Sequence, residues 1–387
     1  MRIGIDARVL DGGSGGVHVY AKNLLKHLIP RAANHEIKLF ANQYGRAHSS
    51  GIARAFAAHP HVTLHQYRFP NKFLNASFRF KAWPLIDELV GGCDVLFFPS
   101  MMYSAFSPKT KAVLTMHDLS YEFFPEYFTL RQRIWHKLMD PRRLCERVSA
   151  VIAVSESTRQ DIITHYRIPQ KKVVTIHSGI DAAFRPVHDR SALAQVRAKY
   201  GLPEGRYILQ TGTLNPRKNY RATLAAFERL AVRYPAEFSD VRLLCAGHRG
   251  WKSAGLLSAM RRSACSDRIH VIHEVPADDL PTLYSLASVM AYPSFYEGFG
   301  FPILEAFSCG IPVVTSTTSS LPEIAQNAAL LVNPYRVDEL ECAIREILSK
   351  PEEARRLRAA GLRATTSFGW DKTAAQTLNL IEYAHRH

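Results

Sequence analysis

The chain has 387 residues, 47% hydrophobic and 21% charged, an ordinary globular balance whose length predicts two domains. No run approaches the ~20 apolar residues that span a bilayer, and the six dispersed cysteines (93, 145, 245, 265, 309 and 342) include no C-x-x-C pair, which reads as reduced thiols in a cytosolic protein rather than a disulfide scaffold. The net charge of +15 is uneven: residues 1–185 hold 25 Lys and Arg against 14 Asp and Glu, so +11, whereas residues 186–387 hold 24 against 20, so +4.

A strand over residues 3–6 opens the chain directly, which predicts no signal peptide ahead of the fold. Next comes Asp11-Gly-Gly-Ser-Gly-Gly-Val17, and then a helix over 17–28. Glycines let backbone approach a ligand closely and present N–H groups to an anion. A dinucleotide fingerprint needs G-x-G-x-x-G, but Gly13-Ser-Gly15 is followed by Gly16-Val17-His18, so the third glycine is missing. Gly12, Ser14 and Gly16 match G-x-S-x-G, yet five residues separate the strand from these glycines, and a nucleophile elbow turns directly off its strand.

Further strands are predicted over 37–40, 62–66, 95–98, 112–116, 150–154 and 173–176. No acidic residue occurs between Glu36 and Asp87, and Arg68, Lys72, Arg79 and Lys81 lie among Tyr67, Phe69, Phe73, Phe78, Phe80 and Trp83. Interleaved cations and aromatics suit an anionic membrane surface. Nucleic acid is the other partner for such a surface, though no nucleic-acid motif accompanies it; the plainer reading is a solvated loop over core aromatics. His117-Asp-Leu follows the strand 112–116, a helix is predicted over 130–146, and Ser155 reads as the N-cap of a helix running to Tyr166. Alternating β and α segments imply a parallel sheet covered on both faces.

The alternation breaks over 178–205, read as a linker between a first domain of residues 1–180 and a second of 203–368. Strands then follow at 207–211, 241–245, 269–272, 289–292, 313–315 and 329–332, with helices at 220–234, 280–286, 301–308 and 337–348. Two helices, 352–366 and 370–384, end the chain. Thr211-Gly-Thr-Leu-Asn-Pro-Arg217-Lys218-Asn219 leaves the first strand of this half, and adjacent cations at a strand's carboxyl edge can neutralise a diphosphate. Ligands of doubly wound sheets bind at such edges.

The most informative segment is Ser294-Phe-Tyr-Glu-Gly-Phe-Gly-Phe-Pro-Ile-Leu-Glu-Ala-Phe-Ser-Cys-Gly-Ile-Pro-Val-Val314. A glycine-rich turn leads from a buried strand into a helix opening at Phe301-Pro302, where proline's missing N–H goes unmissed. Gly310 ends the helix. The open amino end of such a helix is an anion site. Two carboxylates beside it, Glu297 in the loop and Glu305 one turn inside, repel a phosphate unless they hold sugar or ribose hydroxyls of the same ligand.

This segment resembles the signature of the family-4 glycosyltransferases, retaining enzymes of the GT-B fold, in which two glutamates eight positions apart bracket Gly-Phe-Gly. The resemblance implies an α/β fold of two Rossmann-like, doubly wound parallel-sheet domains facing a cleft, with the last helix (370–387) crossing back to the first domain. It implies that Glu305 binds ribose hydroxyls and Glu297 faces the donor sugar. It places Gly15, Gly16, Gly298, Phe299 and Gly300 against the donor, Arg217 and Lys218 on its diphosphate, and His117 beside the reacting carbon. The family arginine that directly follows the glycine is Thr213 here, and the glycine before the base-binding loop is replaced at His273-Glu274.

The activity implied is retaining transfer of a sugar from a nucleotide diphosphate donor to a glycan or lipid-linked acceptor. The clamp Gly-Thr-Leu-Asn-Pro-Arg-Lys-Asn resembles members that use GDP-mannose in surface-polysaccharide assembly, with UDP-sugars as the alternative. No D-x-D occurs, and His61/His65 and His270/His273 lack further ligands, so neither a metal nor any cofactor beyond the donor is expected. A GT-B phosphorylase or epimerase, and a non-catalytic carbohydrate- or nucleic-acid-binding protein, are the readings from other classes. The localisation expected is cytoplasmic, at the inner face of the membrane.

Overall fold

The computed structural model describes residues 1–11, 15–43 and 50–387; Gly12, Gly13 and Ser14 of the glycine loop lie outside the described residues. The chain divides into two compact units. Met1–Phe123, Leu130–Gly179 and Gly369–His387 form the first, and Phe124–Thr129 with Ile180–Phe368 form the second.

The first unit is built on a seven-stranded sheet of β1 (Arg2–Asp6), β2 (Glu36–Asn42), β3 (Val62–Tyr67), β4 (Val95–Phe98), β5 (Lys111–Met116), β6 (Ala150–Ala153) and β7 (Val173–Thr175). The order is β3-β2-β1-β4-β5-β6-β7, and every pairing is parallel. A parallel sheet covered on both faces needs strands that are apolar throughout. Val95–Phe98 and Ala150–Ala153 meet that need, each buried along its whole length. Arg2 on β1 pairs with Asp94 just before β4 at 2.7 Å, fixing the starts of the two central strands. Ser155 accepts from the N–H of Thr158 and caps the helix Glu156–His165 as expected. The helix Trp370–Arg386 packs on the helix Gly16–Arg31, and Thr373 Oγ1 donates to the His177 carbonyl at 2.7 Å.

The second unit has a six-stranded parallel sheet of β8 (Arg206–Thr211), β9 (Val241–Ala246), β10 (Ile269–Ile272), β11 (Ala287–Tyr292), β12 (Val313–Ser316) and β13 (Ala329–Val332), in the order β10-β9-β8-β11-β12-β13. In both sheets the order reverses beside the first strand, between β1 and β4 and between β8 and β11. At such a switch point the loops leaving the two strands diverge and open a crevice. The stretch 180–205 groups with this unit and carries a helix, Arg190–Tyr200, capped by Asp189 and closed by Gly201.

Two segments depart from the sequence reading. The helix expected over 130–146 is two helices, Leu130–Met139 and Pro141–Arg147. Asp140 between them adopts the left-handed region at φ +54 and accepts from the Arg143 N–H. Proline at 141 removes a helical donor and disfavours helical backbone at the residue before it. The cationic aromatic stretch is a loop only at its ends; Asn71–Phe80 is a helix that buries Leu74 and Phe78 and leaves Phe73 77% and Phe80 73% exposed, with Trp83 in the loop beyond it 63% exposed.

The helix Phe301–Ser308 is positioned from behind by Pro351–Thr365, where a Cβ at Gly361 would lie 2.6 Å from Phe307 Cδ1. Alanine is the better helix former by about 1 kcal/mol, but forcing atoms into a packed interface costs about 1–3 kcal/mol. Gly361→Ala is therefore expected to lower stability by about 1 kcal/mol, measured by urea unfolding; a gain would show that the helix yields without cost.

Candidate functional site

In the second unit the sequence-predicted residues converge on the switch point. The loop after β8 turns at Gly212, whose φ of +109 admits little but glycine, and then forms a short turn, Pro216–Lys218, capped by the Asn215 side chain. Asn219 closes it with φ +54 and donates to the carbonyls of Pro293 (3.0 Å) and Pro334 (2.8 Å), tying this loop to the end of β11. The loop after β11 is held by Ser320, whose hydroxyl lies 2.9 Å from the carbonyls of both Glu297 and Phe299. Gly300, at φ +108, starts the helix Phe301–Ser308 with no side-chain cap. At its far end Ile311 N–H reaches the Ala306 carbonyl and Gly310 N–H the Phe307 carbonyl, the paired bonds of a glycine stop.

Where the loops meet, Glu297 takes Arg217 on one oxygen and Lys218 on the other, both at 2.7 Å. Arg217 also donates to the Tyr296 carbonyl at 2.5 Å, and Lys218 to the Tyr292 hydroxyl. Burial by itself would raise the Glu297 carboxyl, but the two cations outweigh it and hold the group down at about 2. Glu297 and Lys218 are buried and Arg217 is half-buried, and the three formal charges sum to +1, a balance compatible with an anionic ligand.

Glu305 behaves oppositely. It accepts from the Tyr284 hydroxyl at 2.6 Å, and Tyr284 is in turn 2.7 Å from Thr211 Oγ1 at the end of β8. Burial pushes this carboxyl up to about 7, with the Tyr284 bond working against the rise. The side chain keeps partial exposure. Gly298 and Phe299 are buried; the Phe299 ring packs on Phe301 and Phe368, so only its backbone is placed to meet a ligand. Glu274 adopts φ +60, the left-handed region glycine favours, at the place where a glycine was expected.

The first unit carries the remaining predicted residues. Gly15, at φ +124, precedes the helix Gly16–Arg31, which has no side-chain cap. His117 follows β5. Its Nε2 lies 2.9 Å from the Pro99 carbonyl, and its ring meets the edge of Tyr20, from the first turns of that helix, at 4.7 Å. A carbonyl only accepts, so Nε2 bears the proton and Nδ1 is the acceptor. Burial lowers the imidazole below its ordinary range, which keeps it neutral at neutral pH.

Sequence reasoning missed Tyr284, Tyr292, Asn219 and Ser320. Asn219 closes the clamp motif without a role assigned to it there; Tyr284, Tyr292 and Ser320 lie outside any motif, and the two tyrosines read as apolar positions.

Two family models match this chain. "Glycosyl transferases group 1" covers residues 194–363 and "Glycosyltransferase Family 4" covers residues 14–184. An O-antigen chain mannosyltransferase B of Escherichia coli is 31% identical over 381 residues, spanning 94% of this chain and 95% of that one. An MMP alpha-(1->4)-mannosyltransferase of Mycolicibacterium hassiacum is 29% identical over 65% of this chain and 58% of its own. Among solved structures, sucrose-phosphate synthase of Thermosynechococcus elongatus superposes with a TM-score of 0.74 at 21% identity, over 99% of this chain and 98% of that one. The Anabaena protein HepE, solved with UDP-glucose, gives 0.70 at 18% identity over 98% and 100%. At these identities the structures bear on the fold alone, and the fold is the GT-B pair of Rossmann-like units.

The raised carboxyl of Glu305 has a thermodynamic consequence. The folded state holds that proton more tightly than the unfolded chain, so its contribution is full below about 4.5 and is lost as pH rises through about 7. Relative to Glu305→Gln, the unsubstituted protein is expected to lose on the order of 2 kcal/mol between those limits, allowing for partial exposure. Denaturant midpoints across the range check this; a flat or rising difference would refute the assignment.

Proposed function

We propose that this chain, which belongs to the group 1 and family 4 glycosyltransferases, moves mannose from GDP-mannose to a glycan or lipid-linked acceptor, with retention at the anomeric carbon. The observation that carries the reading is the Arg217–Glu297–Lys218 triad at the switch point of the second sheet, with Glu305 in the helix that follows and the Tyr284 hydroxyl bonded to it. Its fit to a nucleotide sugar is chemical. Arg217 and Lys218 supply charge for a diphosphate, joined by the positive dipole end of the helix Phe301–Ser308. Glu305 accepts from ribose hydroxyls, and Glu297 faces the sugar while keeping the cations in place. As the donor bond breaks, negative charge grows on the departing phosphate. Preorganised donors that meet such charge usually lower a barrier more than any other single effect. Thr213 leaves Arg217 as the guanidinium for this role. Neutral His117 and the Gly15-Gly16 backbone are assigned to the donor sugar and phosphate.

Mannose is supported by the mannosyltransferases among the relatives, and GDP by the resemblance of the clamp. A UDP-sugar is the alternative donor. Because the charge on the leaving group is met by side chains and dipoles, no metal is required in this scheme. A nucleotide-release assay tests it. GDP is expected to be released from GDP-mannose in the presence of EDTA, and Lys218→Ala to lower turnover about 100- to 1,000-fold, as loss of one transition-state donor does. Abolition by EDTA with rescue by a divalent ion would overturn the clamp, and preference for UDP-glucose would install the alternative.

We read the acceptor side as an anionic membrane surface met by the first unit, at the cytoplasmic face. The support is its excess of cations together with exposed Phe73, Phe80 and Trp83. No described helix is long and apolar enough to cross a membrane, so attachment is peripheral in this scheme. The protein is expected to co-sediment with phosphatidylglycerol vesicles, to ignore phosphatidylcholine vesicles, and to be released as salt screens the charges beyond about 8 Å. Equal binding to both would replace charge with apolar insertion as the cause.

A further inference from the structure

The first unit contains a cavity of about 100 Å³ that has no part in the donor site. Three arginines line it: Arg79 from the end of the helix Asn71–Phe80, and Arg143 and Arg147, one turn apart on Pro141–Arg147. The break at Asp140 and the loop carrying Tyr103 and Ser104 complete the wall. Among the described residues no carboxylate forms an ion pair with any of the three arginines. Asp140 is the one acidic residue in the lining, and its Oδ1 accepts from the Arg143 N–H. The lining therefore carries three positive charges against one negative.

Two polar atoms here are buried without a hydrogen-bond partner, Arg79 Nε and Ser104 Oγ. Arg147 is held in place by its bond to the Phe106 carbonyl at 3.2 Å and by stacking 4.5 Å over that ring. Buried donors left unmade are costly, and like charges gathered without a counterion repel. A cavity that assembles guanidinium forks and spare donors in this way is chemically complete only with an anion, and arginine's planar fork suits phosphate.

The surroundings say where that phosphate comes from. Phe80 and Trp83 flank Arg79 in sequence, and both are exposed. On the other side the helix Leu130–Met139 shows Leu130, Ile134 and Leu138 to solvent at four-residue spacing, with Arg131, Arg133 and Lys137 between them. Its Trp135 ring meets Tyr103 of the cavity wall edge-on at 5.7 Å. Basic helices that expose aromatic and aliphatic side chains lie in the headgroup layer of a membrane.

We propose that Arg79, Arg143 and Arg147 form a binding site for the phosphate of an anionic lipid headgroup, seated while the flanking helices rest in the interface. The proposal rests on the membrane reading of the first unit and deepens it from a diffuse charged face to a defined site.

The test separates shape from charge. Wild type and the charge-preserving double variant Arg79→Lys/Arg143→Lys are titrated with phosphatidylglycerol and phosphatidylcholine vesicles, with the thermal midpoint as the control for folding. Two forks become point charges, and affinity for phosphatidylglycerol is expected to fall about tenfold although net charge is unchanged. Ala82→Glu, at the exposed rim, is expected to weaken the same binding without touching an arginine. Unchanged affinity in both variants would overturn the site and leave the membrane reading standing. Failure of the wild type to bind phosphatidylglycerol vesicles would overturn both. Stabilisation of wild type, but not the double variant, by inorganic phosphate that does not compete with vesicles would show a site for free phosphate, and would overturn the lipid as its source.

Discussion

One buried carboxylate organises the loops at the switch point of the second sheet. Glu297 holds two cations that come from a loop almost 80 positions earlier in the chain, the Arg217 bond to the Tyr296 carbonyl having a sequence separation of 79. Neither cation would sit in this crevice unpaired, because removing a charge from water without a partner is expensive. The paired state leaves one positive charge over, and the loops on either side are cross-braced by neutral bonds from Asn219 and Ser320. A ligand that brings negative charge meets donors already aimed, so little reorganisation is needed as it binds or reacts.

The same short segment holds a second carboxylate in the opposite electrostatic condition. Glu297 is held at about 2 and Glu305, eight positions on, is pushed up to about 7. The difference is one of neighbours. Two cations face the first, whereas the second sits against Tyr284 with its nearest cationic help, Lys218, already spoken for. Environments that drive two carboxyls apart suit them to separate work: Glu297 is charged at every ordinary pH, and Glu305 exchanges its proton near neutrality. Neutral His117 in the first unit is a third polar group tuned by burial, with its protonated nitrogen committed to a backbone carbonyl.

The charge asymmetry between the halves has a structural counterpart. The second unit commits several of its cations to ion pairs, as at Glu297 and at Glu341, which takes Arg233 at 3.0 Å. The first unit leaves many of its own at the surface beside apolar side chains, on the helices Asn71–Phe80 and Leu130–Met139. Such a surface is soluble through its charge and sticky through its rings, a combination suited to an interface between water and an anionic layer.

The sequence by itself determined the two parallel sheets and the charged cluster of the second unit. All thirteen expected strands occur; the interior ones, such as Val95–Phe98 and Ala150–Ala153, are buried on both faces and must be continuous apolar runs, which are visible as letters. Glu297, Glu305, Arg217 and Lys218 were legible because a loop-and-helix anion site needs its glycines, proline and charges at fixed spacing. What the sequence could not decide depends on distance through space. Tyr284 and Tyr292 are apolar-looking positions until their hydroxyls are seen against Glu305 and Lys218. The break at Asp140 was legible in the sequence as Pro141, and only the hydrophobic spacing that continues across 130–146 masked it. The aromatic stretch before Trp83 showed composition but not which face each ring would take. Only packing, which buries Leu74 and Phe78 and leaves Phe73 and Phe80 out, settles that, because burial belongs to a residue's neighbours in space and not to its type.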